Sequence, residues 1–282
     1  MSADPPPAAS ARAHHDGAGP HWRGSRSVLL CLLLLVSGCI GGAELVLAST
    51  TSTEDSGLFD VLLPAFAAAH PQYRVKLIAV GTGQALALGA RGDADVLLVH
   101  APAAEAAFIA AGHGSERRVV MHNRFVLLAP DADPAGAVEA ADACGALRWI
   151  AAAGATFVSR GDDSGTHKKE RELWQCAGVA PRGPAYVDVG QGMGETLAIA
   201  SERRAYTLSD EATFRVLRPE GLRTLALEDS LLRNPYSIII VRAARHSDGA
   251  RAFAAWMAGP GKQVIADFGR DRFGAPLFRP EP

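Results

Sequence analysis

The chain lacks the marks of a nucleic-acid binder, a metalloprotein or a permanent membrane span. Its formal net charge is −2 over 282 residues. The basic residues are scattered, with no stripe interleaved with aromatics, so the usual footprint of a nucleic-acid interface is missing. An anion bound here must be drawn by local donors, because bulk charge offers nothing. Cysteines number four, at spacings that match no zinc or redox motif. No internal repeat is visible. His100 and His167 have no nucleophile motif beside them, so a phosphate-ester hydrolase built on Asp163 and His167 is disfavoured and no enzyme is expected. Asp93 and Asp95 flank an apolar run without nearby histidine or cysteine and read as turn-fixing residues, not metal ligands. Gly190-Gln191-Gly192-Met193-Gly194 lacks the spacing and preceding strand of a dinucleotide fingerprint, and reads as a backbone-lined wall.

The N-terminal region is not fold. Residues 1–20 are rich in Ala, Pro, Gly and His; then Arg23 and Arg26 precede the apolar run Val28–Val36. A run this short does not cross a bilayer, and with its basic flank it reads as an export signal. Val36-Ser37-Gly38-Cys39 resembles a bacterial lipobox, with Cys39 as the lipidated first residue of the mature protein. Ordinary cleavage near Ala43 or Ala48 would instead discard Cys39. Export brings an oxidising compartment, which permits Cys144 and Cys176 to pair; the alternative is two small buried hydrophobes.

The length allows two domains, and 21% charged with 48% hydrophobic residues is an ordinary globular balance. Short apolar strands alternate with amphipathic helices. Strands are expected at 44–48, 75–80, 95–99, 124–129, 156–159 and 235–241. Helices are expected at 58–69, 85–90, 103–111, 143–153, 166–176, 193–202, 250–257 and 262–268. This order predicts an α/β fold with a largely parallel sheet. Crossings near Phe125 and Ile238 would leave a cleft between two lobes: 40–125 with 238–282, and 126–237. Trp149, Trp174 and Trp256 fall in helical patterns and are expected in the core.

Three segments share one character, in which a strand ends and small hydroxyl residues with glycine open a helix. They are Ser49–Gly57, Val80-Gly81-Thr82-Gly83-Gln84 and Ser159–His167. Helix starts leave N–H groups unpaired and carry partial positive charge, and open sheets bind ligands beyond the carboxyl ends of their strands. Arg160 adds a guanidinium, whose planar donors suit two oxygens of an oxyanion. Pairing with Asp162 or Asp163 is its local alternative, and either aspartate would equally hold it in place.

These motifs resemble the tungstate-binding components of ABC transporters. The resemblance is carried by Thr51-Ser52-Thr53, Val80–Leu86, Gly92–His100, Ser159–Glu170, Gly190–Gly194, Tyr206–Asp210 and Asn234-Pro235-Tyr236, in order after residue 44. It implies an α/β, two-lobed periplasmic-binding-protein-like fold of type II with the ligand cleft between lobes. It also implies Thr51, Ser52, Thr82, Arg160, Ser164, Gly165 and Thr166 as ligand contacts, and tungstate or molybdate as the ligand. An ABC permease with its ATPase would be the partner, the protein would be a monomer, and no cofactor is needed. The expected location is periplasmic or cell-surface, anchored through Cys39. A phosphate-binding transport receptor is the alternative, with Asp162 or Asp163 accepting the ligand's proton; a sensor handing the loaded protein to a signalling partner is a third.

Overall fold

The structure, a computed structural model, describes residues 42–282. The apolar run, the lipobox reading and Cys39 lie outside the described residues. In chain order the elements are β1 (Ala43–Thr50), α1 (Thr51–Asp55), α2 (Leu58–Ala69), β2 (Tyr73–Val80), α3 (Thr82–Arg91), β3 (Val96–Val99) and α4 (Pro102–Ala110). The long β4 (Gly114–Pro130) follows, then α5 (Ala143–Ala152), β5 (Phe157–Ser159), α6 (Gly165–Ala177), β6 (Tyr186–Asp188), α7 (Met193–Arg203), β7 (Tyr206–Asp210), α8 (Glu211–Leu217) and β8 (Leu222–Thr224). The chain closes with β9 (Arg233–Val241), α9 (Ser247–Met257), α10 (Gly261–Asp267), α11 (Arg270–Phe273) and β10 (Arg279–Pro280).

One continuous path of strands runs β2-β1-β3-β9-β4-β7-β5-β6. Its two ends are parallel: β1 with β2 and β3, and β5 with β6 and β7. Its middle is antiparallel, because β9 runs against both β3 and β4, and β4 against β7. The sheet is therefore mixed, where the sequence suggested a largely parallel one. Alternation of side chains reports a strand's faces but not its partner's direction. β4 pairs with β9 from Gly114 to Arg124 and with β7 from Phe125 to Leu128, so one strand serves both ends of the sheet.

Apolar side chains gather on both ends of this path. Leu45, Leu47, Leu62, Phe66, Tyr236 and Phe253 belong to one cluster, and Phe125, Leu127, Leu147, Phe157, Trp174 and Tyr206 to another. Trp174 and Trp256 are buried as expected, but Trp149 is 43% exposed. The reason is helical phase. Helix α5 buries Ala143, Ala146, Leu147 and Ile150, and Trp149 falls off that stripe. Cys144 on α5 and Cys176 on α6 form a disulfide, with Cα atoms 5.7 Å apart. Asp95 proves structural: its carboxylate accepts from the backbone N–H groups of Val46 and His246, both at 2.9 Å. Among the described residues no helix is long and apolar enough to cross a membrane.

Candidate functional site

The three donor-rich segments lie at the carboxyl ends of β1, β2 and β5, and the fold brings them together. Helix α1 follows β1 without a break, placing Thr51 and Ser52 in its first turn. Gly81 precedes α3, and Thr82 is that helix's first residue. The third segment leaves β5 at Ser159 and turns through Gly161, at φ 63°, and Asp163, at φ 58°. Ser164 then caps α6, its hydroxyl accepting from the His167 N–H at 3.2 Å.

Close backbone approach explains the glycines. A Cβ on Gly81 would lie 3.2 Å from the Asp162 carbonyl oxygen, and one on Gly83 would collide with the Asp163 carboxylate. A Cβ on Gly165 would sit 2.7 Å from His100 Cε1. Side chains at these three points would hold the segments apart. Of the segment Gly190–Gly194, Gly192 lies nearest to these openings. A Cβ on Gly192 would come within 3.8 Å of Thr51 Oγ1, which sets the start of α7 beside α1.

Arg160 is the centre of the arrangement, its side chain 1% exposed. Nη2 donates to Asp162 Oδ2 at 2.5 Å and to Thr51 Oγ1 at 3.2 Å. Asp162 Oδ1 in turn accepts from the Ser164 N–H at 3.1 Å, so this carboxylate orients both the arginine and the opening of α6. Local pairing thus holds Arg160 without exhausting it. Its Nε and Nη1 are buried and have no partner among the described residues, as do the hydroxyls of Thr82 and Thr166 and Nε2 of His100. Buried polar atoms are rarely left so, since each unmade bond costs about 1–3 kcal/mol. Several gathered at converging helix starts describe a place for a ligand rich in acceptors. Ser52 is less available, since it is buried with its hydroxyl 3.3 Å from Thr50 Oγ1. Gly165 contributes backbone alone.

Sequence reading weighed His100 only as a catalytic base, and offered Asp162 as a partner or support of Arg160 or as the acceptor of a phosphate proton. His100 is 2% exposed at the end of β3, and burial with the Arg160 charge nearby pushes its pKa down to about 4. Nothing in its surroundings in sequence announces this, because the residues that bury it come from β9 and from the start of α6. Asp163 lies on the surface paired with Lys168, and its N–H donates to His167 Nδ1 at 3.0 Å. A groove of about 670 Å³ runs along Lys168, Arg171, Trp174 and Tyr186, but none of the unpartnered donors line it.

A model of the PBP superfamily domain matches residues 9–260. The chain belongs to the PBP superfamily. It is 45% identical over 245 residues to the tungstate-binding protein TupA of Peptoclostridium acidaminophilum, covering 84% of this chain and 85% of that one. Two solved structures are similar as well. The tungstate ABC transporter structure from Geobacter sulfurreducens shares 46% identity, with a TM-score of 0.73 over 80% of this chain and 98% of that one. The tungstate-binding protein TupA from Desulfovibrio alaskensis G20 shares 41%, with a TM-score of 0.68 over 85% of this chain and 99% of that one. Within this PBP-superfamily chain the converging segments lie where an open α/β sheet binds ligands, outside the carboxyl ends of its strands.

Proposed function

We propose that this chain is an extracytoplasmic solute-binding protein that captures tungstate or molybdate and delivers it to an ABC permease with its ATPase. The observation that carries the reading is the buried Arg160, with Nε and Nη1 unpartnered beside the unpartnered hydroxyls of Thr82 and Thr166. Thr51, Ser52, Ser164 and Gly165 complete the contact set, through hydroxyls and through N–H groups at the openings of α1 and α6. A donor-dominated shell suits an anion with no proton to give. Relatives named for tungstate support that ligand class. In this reading residues 40–125 and 238–282 form one lobe and 126–237 the other, with β4 and β9 as the strands about which they close. The protein acts as a monomer, exported and held at the membrane by a lipid on Cys39.

Calorimetric competition on the chain without residues 1–39 tests the function. Tungstate and molybdate are expected to bind far more tightly than sulfate or phosphate. A cavity fitted to the larger anion leaves sulfate short of several donors, at roughly 1.5–3 kcal/mol for each missed bond to a charged group. Sulfate or phosphate matching tungstate would overturn the assignment.

A further inference from the structure

His100 is tied to the site by a chain of side chains that fixes which of its ring nitrogens carries the proton. Asp210 Oδ1 accepts from the Thr213 backbone N–H at 3.0 Å, so that oxygen is an acceptor whether or not the carboxyl is ionised. Asn123 Nδ2 donates to the same oxygen at 3.1 Å, and Asn234 Nδ2 donates to Asn123 Oδ1 at 2.7 Å and to the Tyr236 hydroxyl at 3.1 Å. Both amides are thereby oriented. Asn234 must present Oδ1 to His100, whose Nδ1 lies 2.9 Å away and must be N–H. Nε2 is then a bare lone pair, buried and without a partner among the described residues. The ring is stacked on Tyr236 at 4.6 Å, and its Cε1 edge abuts Gly165 at the opening of α6.

Charge makes this lone pair significant. The one guanidinium of the site is already paired with Asp162, so that pair is neutral before any ligand arrives. A dianion then adds two negative charges against little more than the partial charges of helix starts. A neutral imidazole lone pair beside such an anion is repulsive.

We propose that His100 is a further ligand-facing residue of this site, and that its Nε2 takes up one proton from solvent when a dianionic oxyanion binds and donates it as a hydrogen bond to the anion. The proposal rests on the oxyanion-binding reading above. The proton adds to the Nε2 lone pair while Nδ1–H stays on Asn234, so the relay is preserved and the complex gains one compensating positive charge.

The charged groups around the ring act in both directions. Arg160 opposes protonation and Asp162 favours it, while Tyr236 and Asn234 on β9 and Phe125 on β4 pack against it without charge. Asp210 is linked to the ring through Asn123 and Asn234, and Glu105, whose carboxylate accepts from the Ala101 N–H at the start of α4, is paired with Arg117. A contacting opposite charge raises a pKa by about 1–3 units. From a starting value of about 4, the bound state would titrate at roughly 5–7. Affinity should then rise as pH falls through the bound value, by up to about tenfold per unit, and level off below the free value.

The test is calorimetry with micromolar tungstate at pH 5 in two buffers of different ionisation enthalpy, together with affinities from pH 4.5 to 8. The wild type should take up a large fraction of one proton, and His100→Gln should take up none and lose the pH dependence. Asp55→Asn should keep the uptake, which separates His100 from a carboxyl on α1 that burial, with Glu195 beside it, lifts to about 6. Nitrogen NMR on the histidine-labelled wild type provides a readout that needs no variant: tungstate should move the His100 Nε2 resonance to its protonated position. An unprotonated Nε2 in the tungstate complex, or undiminished uptake in a folded His100→Gln protein, would overturn the proposal while leaving the functional reading standing. Phosphate binding in preference to tungstate, with its own proton satisfying Nε2 and no uptake, would overturn both.

Discussion

At the scale of single residues, the site is built from polar groups that the fold buries and leaves partly unsatisfied. Arg160 is the clearest case, since Asp162 and Thr51 use one of its nitrogens and leave the others open. Arg160→Ala should weaken tungstate binding more than tenfold in a titration, because a lost charge-assisted bond to a buried anion costs roughly 2–5 kcal/mol. Arg160→Lys should recover only part of this, as the ammonium lacks the planar fork. Unchanged affinity in the alanine variant would remove Arg160 from the site. Glu170 behaves differently. Burial first, with Asp188 adding to it, lifts its carboxyl to about 7 against bonds from Tyr186 Oη at 2.6 Å and Trp174 Nε1 at 3.2 Å. The folded state therefore holds this proton more tightly than the unfolded chain, and stability is lost as pH rises from about 4.5 towards 7. Glu170→Gln should flatten the denaturation profile between pH 5 and 8 by up to about 3 kcal/mol. A profile as steep as the wild type's would show that Glu170 does not carry it. Arg160 was legible in sequence because it stands between a strand end and a glycine-rich helix start. His100 was not, because Asn234 and Tyr236 reach it from far along the chain, and Glu170 was not, because one charged residue in a helix does not announce its burial.

At the scale of elements, hydrophobic period and punctuation located the long segments well. Helix α2 occupies the predicted residues 58–69, and α5, α6 and α7 depart by a residue or so at their ends. The short elements β6, β8, α1 and α8 had no period long enough to read. Strand β4 was seen only in its apolar half, since Glu116, Arg117 and Arg118 interrupt the alternation in the half that pairs with β9. The disulfide belongs to this scale because it ties α5 to α6, the helix whose opening faces the site. Cys144 and Cys176 are 32 residues apart, and cross-linking a loop of that size contributes about 2–4 kcal/mol. The Cys144→Ala, Cys176→Ala double variant should lose that much in denaturant titration while binding tungstate with nearly wild-type affinity once folded. A stability equal to wild type would mean the bridge contributes nothing.

At the scale of the whole molecule, the mixed sheet brings the carboxyl ends of strands from both halves of the chain to one place. β4 pairs with β9 on one side and with β7 on the other, and the Thr213 hydroxyl on α8 donates to the Ser52 carbonyl oxygen at 2.9 Å. Capture by closure about these strands would bury the anion between segments that neither half could assemble alone. Delivery requires the protein to stay near its permease, and the proposed lipid on Cys39 would keep it there. Each buried methylene of an acyl chain contributes about 0.8 kcal/mol, so more than one chain is needed for a stable anchor. Cys39→Ser should therefore move the protein from the membrane fraction to the soluble fraction of its native host. A wild type that is already soluble would refute the anchor.

By itself the sequence determined the family, the alternation of strands and helices, and the three donor-rich helix openings, because these depend on local chemistry: chain period, hydroxyl and glycine at strand ends, and one arginine among them. The tertiary structure alone decided the direction of β4 and β9, the reach of Arg160 to Thr51, and the relay that runs from Asp210 to His100. Those outcomes depend on contacts between segments far apart in the chain, where burial and hydrogen bonding are settled only when the sheet is assembled.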